Sequence, residues 1–205
     1  MIVILRRAIT VAALATVTLG AAAEAQRLVI TPHVGYFLST EDLFEAQVSG
    51  RVTYRLQPAL WYGASVEVGI TPRIGLSLVG GHVATDLRRK SAIRDSLIPA
   101  SLSHVAVQAV LRTADRTARV SPYFNGGLGL IKRGSEAFRG EPSNSSLVAI
   151  LGGGVAVRMG AVATTIGLEV TDYSAAYAAA FDYNRKFLQR DLRFRVGVGW
   201  TPGGG

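Results

Sequence analysis

The sequence contains no cysteine and only three histidines among its 205 residues. The lack of cysteine excludes disulfide bonds and a lipid-modified N-terminal cysteine. After residue 25, no apolar run approaches the about 20 residues that a membrane-spanning helix needs. Even so, 49% of the residues are hydrophobic and 23 are glycine. A chain of this composition is expected to bury alternating strands rather than long helices.

Residues 1–25 have the pattern of a secretory signal peptide. Arg6 and Arg7 precede the apolar run 8–19, and Ala23-Glu24-Ala25 supplies the small residues of a signal-peptidase site. A membrane-anchoring helix is the alternative, but the run is too short to span a bilayer. We therefore expect export and cleavage after Ala25, which leaves residues 26–205 as one barrel domain.

The rest of the chain divides into segments in which apolar and polar residues alternate, the pattern of half-buried strands. These segments cover about 27–37, 59–70, 73–84, 100–113, 118–133, 145–158, 161–173 and 189–200. Short connections at 71–72, 114–117 and 159–160 alternate with long ones at 38–58, 85–99, 134–144 and 174–188. Membrane barrels have short periplasmic turns and longer extracellular loops. The sequence therefore predicts an all-β fold, an eight-stranded antiparallel up-and-down transmembrane β-barrel.

The direction of the apolar faces decides between two kinds of barrel. The opposite faces are rich in glycine and arginine, which suit a narrow lumen better than a solvated exterior. Tyr36, Tyr62 and Trp200 lie at strand ends on the apolar faces, as in the aromatic girdles of membrane barrels. A soluble lipocalin-like barrel, with its apolar face inward, is the alternative. We expect apolar side chains to point outward, although four break the pattern: Val79, Val110, Val148 and Ile150.

The last segment, Leu192–Trp200, alternates strictly and ends on an aromatic residue. With the signal, the eight segments and the glycine-rich inner faces, it resembles the small outer-membrane β-barrel family typified by OmpA and OmpX. The resemblance covers residues 26–205 and implies a porin-type barrel domain in a Gram-negative cell envelope. It also implies insertion by the machinery that recognises a terminal aromatic residue, here Trp200, although residues 201–205 follow it. It implies no particular activity.

Charged residues on the predicted lumen faces form the first candidate site. Buried charges require partners, and we expect Glu169 and Arg193 to pair across adjacent strands. We interpret the set as structural ion pairs, with a gate for a small aqueous path as the alternative. Its members are Glu67, Arg73, Arg112, Arg119, Glu169, Arg193 and Arg195.

Basic residues near the predicted extracellular loops form the second candidate site. Guanidinium and ammonium groups there could bind lipopolysaccharide phosphates, and an ordinary solvated loop is the alternative. The candidates are Arg88, Arg89, Lys90, Arg94 and Lys132, with Arg133 at the same end. The net charge of +8 raises nucleic acid as a partner. We expect none, because the arginines are scattered along apolar segments.

The three histidines are the remaining candidates for chemistry. His33, His82 and His104 lie in no recognisable lipase or acyltransferase motif. His82 is expected to face lipid near the outer rim, with Ser101 and Ser103 on the next strand. We expect no enzyme activity, no cofactor, no metal site and a monomer. The predicted role is structural or surface-interactive, with a narrow channel for small solutes and a lipid A-modifying enzyme as successive alternatives.

Overall fold

The computed structural model describes residues 28–47, 51–139, 144–159, 164–178 and 186–200. The predicted signal peptide lies outside these ranges. A short 3-10 helix spans Glu136–Phe138, and no helix in the described part of the chain is long and apolar enough to cross a membrane. The strands are β1 (Leu28–Ser39), β2 (Phe44–Gln47), β3 (Arg51–Leu56), β4 (Ala59–Gly69), β5 (Ile74–Lys90), β6 (Asp95–Arg112), β7 (Val120–Gly134), β8 (Ser145–Met159), β9 (Thr164–Ala178) and β10 (Lys186–Trp200).

Eight of these strands close into an antiparallel barrel. The order around it is β1-β4-β5-β6-β7-β8-β9-β10, and β10 pairs back onto β1. In that closing pair Phe37 lies opposite Arg193 and Val34 opposite Val196. The pairing of β5 with β6 completes the ring. The predicted eight-stranded barrel is therefore confirmed.

The prediction that 38–58 is a loop is wrong. Strands β2 and β3 form a hairpin there, and β3 pairs with the far end of β5, where Leu56 lies opposite Leu87. Val52 and Leu56 are buried. Strands of four and six residues offer too little alternation to be recognised in sequence.

The predicted link 85–99 is also mostly strand. Pairing between β5 and β6 continues to Lys90 opposite Asp95, so only 91–94 connect them. This connection lies at the same end as the β2–β3 hairpin and the 3-10 helix, which we call the long-loop end. Residues 70–73 and 113–119 connect strands at the opposite, short-turn end. The predicted turn at 159–160 and link at 174–188 lie partly outside the described residues.

The apolar faces point outward, as predicted. Leu128, for example, is 59% exposed on β7, whereas Trp61 on the glycine-rich face of β4 is 1% exposed. Tyr36, Tyr62 and Trp200 also point outward. The remaining large apolar side chains of the outer face include Leu60, Val66, Leu76, Leu78, Val105, Val107, Leu111, Phe124, Leu130, Leu147, Leu151, Phe194, Val196 and Val198. A soluble barrel would bury this face, so that alternative does not fit the described strands.

The interior differs from the prediction in its long-loop half. A lumen lined by glycine and charge was expected throughout, but this half holds a packed apolar core. All four exceptions to the alternation are buried inside the barrel; Val148 and Ile150 belong to this core, whereas Val79 and Val110 do not. The core cluster comprises Phe37, Leu43, Leu56, Trp61, Val83, Leu87, Ala100, Leu102, Ala106, Ile131, Phe138, Val148 and Ile150. Apolar side chains therefore line both faces of the wall here, which alternation alone does not reveal.

Candidate functional site

Glu67 is the centre of an ion-pair network in the short-turn half of the lumen. Its carboxylate accepts hydrogen bonds from Arg112 at 3.0 and 2.8 Å and from Arg116 at 2.7 Å. All three side chains are largely buried, with 11–14% of each exposed. Two guanidinium groups share one carboxylate, so the network carries a net positive charge. The predicted placement of Glu67 and Arg112 in the lumen agrees with this geometry.

Arg116 was missed because it lies in a predicted turn, where side chains are normally solvated. The turn folds back over the barrel mouth, and the Arg116 backbone N–H donates to the carbonyl of Pro72 at 3.2 Å. This places its guanidinium over the lumen. Burial lowers the pKa of Arg116, against the neighbouring charge of Glu67, which raises it. No sequence signal distinguishes this arginine from an exposed one.

Two residues predicted in the lumen lie outside it. Arg73 is 62% exposed in the β4–β5 turn and pairs with Asp115 at 2.9 Å. Arg119 is exposed just before β7. Both prediction errors arise where strands end, since alternation no longer determines the direction of a side chain in a turn. Their long side chains reach water, so their charged groups avoid the desolvation cost of burial.

A cavity of about 110 Å³ adjoins the Glu67 network. It extends from His33 in the middle of the barrel to Arg116 and Ala118 at the short-turn rim. Arg158 and Arg195 line its wall, and Glu67 is the one acidic residue among its described lining. The described lining of the cavity is therefore polar and carries a net positive charge.

Gln108 and Asn125 close the inner part of this cavity. They are 1% and 3% exposed. They lie on the inner faces of adjacent strands, since Val110 of β6 is opposite Asn125 of β7. Both atoms of each amide lack a hydrogen-bond partner. Buried amides are normally hydrogen-bonded, so this pair is an unusual feature of the interior.

Arg193 lies above the cavity, at the boundary with the apolar core. Its guanidinium is fully buried and donates to His104 Nδ1 at 2.7 Å. It also lies over the rings of Trp61 and Phe37, 5.5 and 5.9 Å from their centroids. Aromatic faces attract a cation in this geometry. A Cβ at Gly81 would come within 2.8 Å of both His104 and Trp61, so glycine makes room for this cluster.

The expected direct pairing of Glu169 with Arg193 does not match the register. Arg195 is the residue opposite Glu169, and Arg193 is opposite Thr171. The difference of two residues arises because β9 extends further past its predicted end at 173, to Ala178, than β10 extends before its predicted start at 189, to Lys186. The Glu169 side chain lies outside the described part of the structure, whereas Arg195 lines the cavity.

A second buried network lies at the long-loop end of the lumen. Arg133 donates to Gln189 Oε1 at 2.9 and 2.6 Å and to Ser146 at 2.9 Å. Gln189 Nε2 in turn donates to Asp191 at 2.6 Å. Arg133 is only 1% exposed, so it lies in the lumen and does not join the surface cations at this end. It is the penultimate residue of β7, and the pleat of the strand turns it inward.

The five other predicted surface cations are exposed at the long-loop end. Arg88 pairs with Asp95 across the β5–β6 hairpin, and its hydrogen bond holds the pKa of that carboxyl below its usual value. The other four, Arg89, Lys90, Arg94 and Lys132, are exposed.

Polar residues form a row on the outer face across β5, β6, β7 and β8. His82 lies opposite Ser103, Ser103 opposite Lys132, and Lys132 opposite Ser145. His82 Nδ1 lies 2.9 Å from the Ser103 hydroxyl, which confirms the expected contact, and its ring packs against Tyr62. One step toward the short turns, the same strands carry Gly80, Val105, Leu130 and Leu147. The row thus marks the edge of the outer apolar band.

The His82–Ser103 pair resembles half of a nucleophilic site. A serine nucleophile needs a base that a third group orients. Among the hydrogen bonds of the described residues, His82 has Ser103 alone as a partner. The described ranges also contain no group of three or more histidine or acidic side chains placed to bind a metal ion.

No protein-family model matches the chain, and no curated protein matches its sequence. Solved structures do match. OprG of Pseudomonas aeruginosa aligns with a TM-score of 0.65 and 11% identity over 86% of this chain and 96% of its own. Neisserial surface protein A gives 0.57 and 10% over 84% and 96%, and AlkL in lipid bilayers 0.55 and 10% over 86% and 90%. All three are outer-membrane or surface barrels, so the chain has the fold of the small outer-membrane β-barrels.

Proposed function

We propose that the protein resides in the outer membrane and acts there as a structural, surface-interacting barrel that binds lipopolysaccharide. The observation that carries this proposal is the outer apolar band, which ends at the row from His82 to Ser145. Apolar side chains that are half exposed or more, such as Leu128 and Leu151, need a lipid environment. Lys132, in the row itself, lies at the level of lipid headgroups.

The cations beyond this row support lipopolysaccharide as the partner. Lys90 and Arg94 lie near the tip of the β5–β6 hairpin, and Lys132 lies at its base. Arg88 already pairs with the carboxylate of Asp95, so its guanidinium group is less available to bind a phosphate. Membrane barrels have their longer loops on the extracellular side. We therefore place the long-loop end at the cell exterior, where lipopolysaccharide phosphates are found.

Replacing Lys90, Arg94 and Lys132 together with glutamine is expected to weaken lipopolysaccharide binding about a hundredfold, because each cation near an anionic lipid surface contributes about 1 kcal/mol. Binding of the purified, detergent-folded protein to lipopolysaccharide is measured at low and high salt. Arg73→Gln with Arg119→Gln removes exposed cations from the short-turn end and serves as the control. Equal losses in both variants would contradict a site at the long-loop end. Heat-modifiable gel migration of the protein from an outer-membrane fraction tests the location itself.

A narrow channel is the alternative function. The buried core around Phe37, Trp61 and Ile131 favours a barrel without an open aqueous path through the long-loop half. These apolar side chains interrupt the polar lining of the described interior between the short-turn cavity and the long-loop end, where the Arg133–Gln189–Asp191 network lies. The structural role is therefore the better supported of the two.

We also propose that the protein is not an enzyme, and that the His82–Ser103 pair stabilises the edge of the apolar band. Lipid A is expected to have the same mass spectrum from cells with and without the protein. A mass loss of one acyl chain that disappears in Ser103→Ala would establish a lipid A-modifying activity instead. Ser101→Ala is the matched control, since Ser101 hydrogen-bonds to Ser135 and not to His82.

A further inference from the structure

The cavity at the short-turn end has features that its structural role leaves unexplained. A lumen filled only to stabilise the barrel would pair its buried polar groups with one another. Here both amide atoms of Gln108 and of Asn125 are buried without partners. Arg112 Nε and two nitrogens of Arg116 are also buried without hydrogen-bond partners. These groups line one space of about 110 Å³.

The charge of the cavity selects the ligand class. Arg112 and Arg116 share the single carboxylate of Glu67, and Arg158 adds a further guanidinium to the wall. A cation would be repelled, and a neutral solute would leave the excess charge unmatched. Guanidinium groups bind oxyanions with several hydrogen bonds at once.

The amides narrow the choice further. A carboxamide presents both N–H donors and a carbonyl acceptor, and in Gln108 and Asn125 neither kind of atom has a partner. A ligand that satisfies both must accept hydrogen bonds and also carry an O–H group. Hydrogenphosphate has both, whereas sulfate at neutral pH has acceptors only. We propose that the short-turn cavity is a binding site for a small hydroxyl-bearing oxyanion of the phosphate class, with Arg112, Arg116 and Arg158 as its cations and Gln108 and Asn125 as its amide contacts.

The size and access of the cavity fit this ligand. Cavities of about 150 Å³ hold a molecule of six heavy atoms, so one of about 110 Å³ accommodates the five heavy atoms of phosphate. Arg116 and Arg158 lie at the short-turn rim and are partly exposed, which leaves a path for a soluble anion. The apolar core closes the other side. The site therefore exchanges ligand with the compartment at the short turns.

The test uses the intact protein folded in a zwitterionic detergent, with inorganic phosphate as the probe. Isothermal titration calorimetry at constant ionic strength is expected to show one saturable site for phosphate, at least tenfold weaker binding of sulfate, and none of chloride. Arg158→Gln is expected to weaken phosphate binding at least tenfold. Arg139→Gln removes the same charge from an exposed position at the long-loop end, outside both proposed sites, and is expected to leave phosphate binding unchanged.

Gln108→Leu tests the amide contribution separately. It keeps the side-chain size, removes both polar atoms, and is expected to reduce the preference for phosphate over sulfate. Heat-modifiable migration confirms that each variant is folded. Absence of saturable binding, or equal weakening by Arg158→Gln and Arg139→Gln, would overturn the proposal. Binding of micellar phosphatidylglycerol in the same calorimetric measurement, without binding of inorganic phosphate, would also overturn the proposal. The site would then bind a lipid headgroup.

Discussion

Replacing Trp61 with alanine is expected to lower the free energy of unfolding by about 3–5 kcal/mol. The indole is 1% exposed, its Nε1 donates to the carbonyl of Phe194 at 3.1 Å, and its ring lies beside His33 and His104. Alanine would leave a cavity in the core and remove one aromatic face from the buried Arg193. Urea unfolding in lipid vesicles, followed by the far-UV circular dichroism, measures the loss.

Trp200→Ala is the matched control, because the chain has only two tryptophans. Trp200 is 55% exposed on the outer face near the short-turn end. Its removal is expected to weaken contacts with lipid without opening a cavity in the protein, and so to cost less than half as much. A Trp61→Ala variant no less stable than Trp200→Ala would show that the long-loop half of the lumen is not a packed core.

Leu128→Arg is expected to lower the free energy of unfolding in a bilayer by about 2–4 kcal/mol, the cost of an arginine at mid-membrane on a barrel's lipid face. Leu128 lies opposite Val107 on one side and Ala149 on the other, within the outer apolar band. An arginine there would have to displace lipid or distort the bilayer to reach water. The same urea unfolding measures this cost.

Leu97→Arg is the control that shows whether lipid or water surrounds the outer face at Leu128. Leu97 is 61% exposed and Leu128 59% exposed, so the two leucines differ little in accessibility. Leu97 lies near the end of the β5–β6 hairpin, opposite Arg88 and beyond the polar row. Its replacement is expected to change stability little. Similar effects of both substitutions would indicate that water, not lipid, surrounds the barrel.

The barrel could be predicted from sequence because one face of each strand contacts a different medium from the other. In β4 and β10 every second residue from Leu60 and from Phe194 is apolar and points outward. Pairing between neighbouring hairpins then leaves few possible topologies. The alternation of short and long connections indicates which end of each strand faces the cell exterior. These signals are local, and they survive errors of several residues in strand ends.

The interior could not be predicted to the same extent. Residues such as Val148 and Ile150 face inward on a strand whose outer face is also apolar, so their role as core depends on what the opposite wall presents. Arg116 reaches Glu67 only because a turn folds over the lumen. The β2–β3 hairpin depends on the edge that β5 offers it. Each depends on tertiary structure that no short segment encodes.

The continuous pairing of β5 and β6 beyond the row at His82 has a mechanical consequence. From that row to Lys90 the strand advances eight residues, which at a rise of 3.4 Å and the usual tilt of membrane strands is a height of roughly 20 Å. Ile93 at the summit is 96% exposed. The hairpin is thus a stiff stalk instead of a tethered loop. Binding of a molecule at its tip therefore costs little conformational entropy of the hairpin, because the backbone hydrogen bonds already fix the shape of the hairpin.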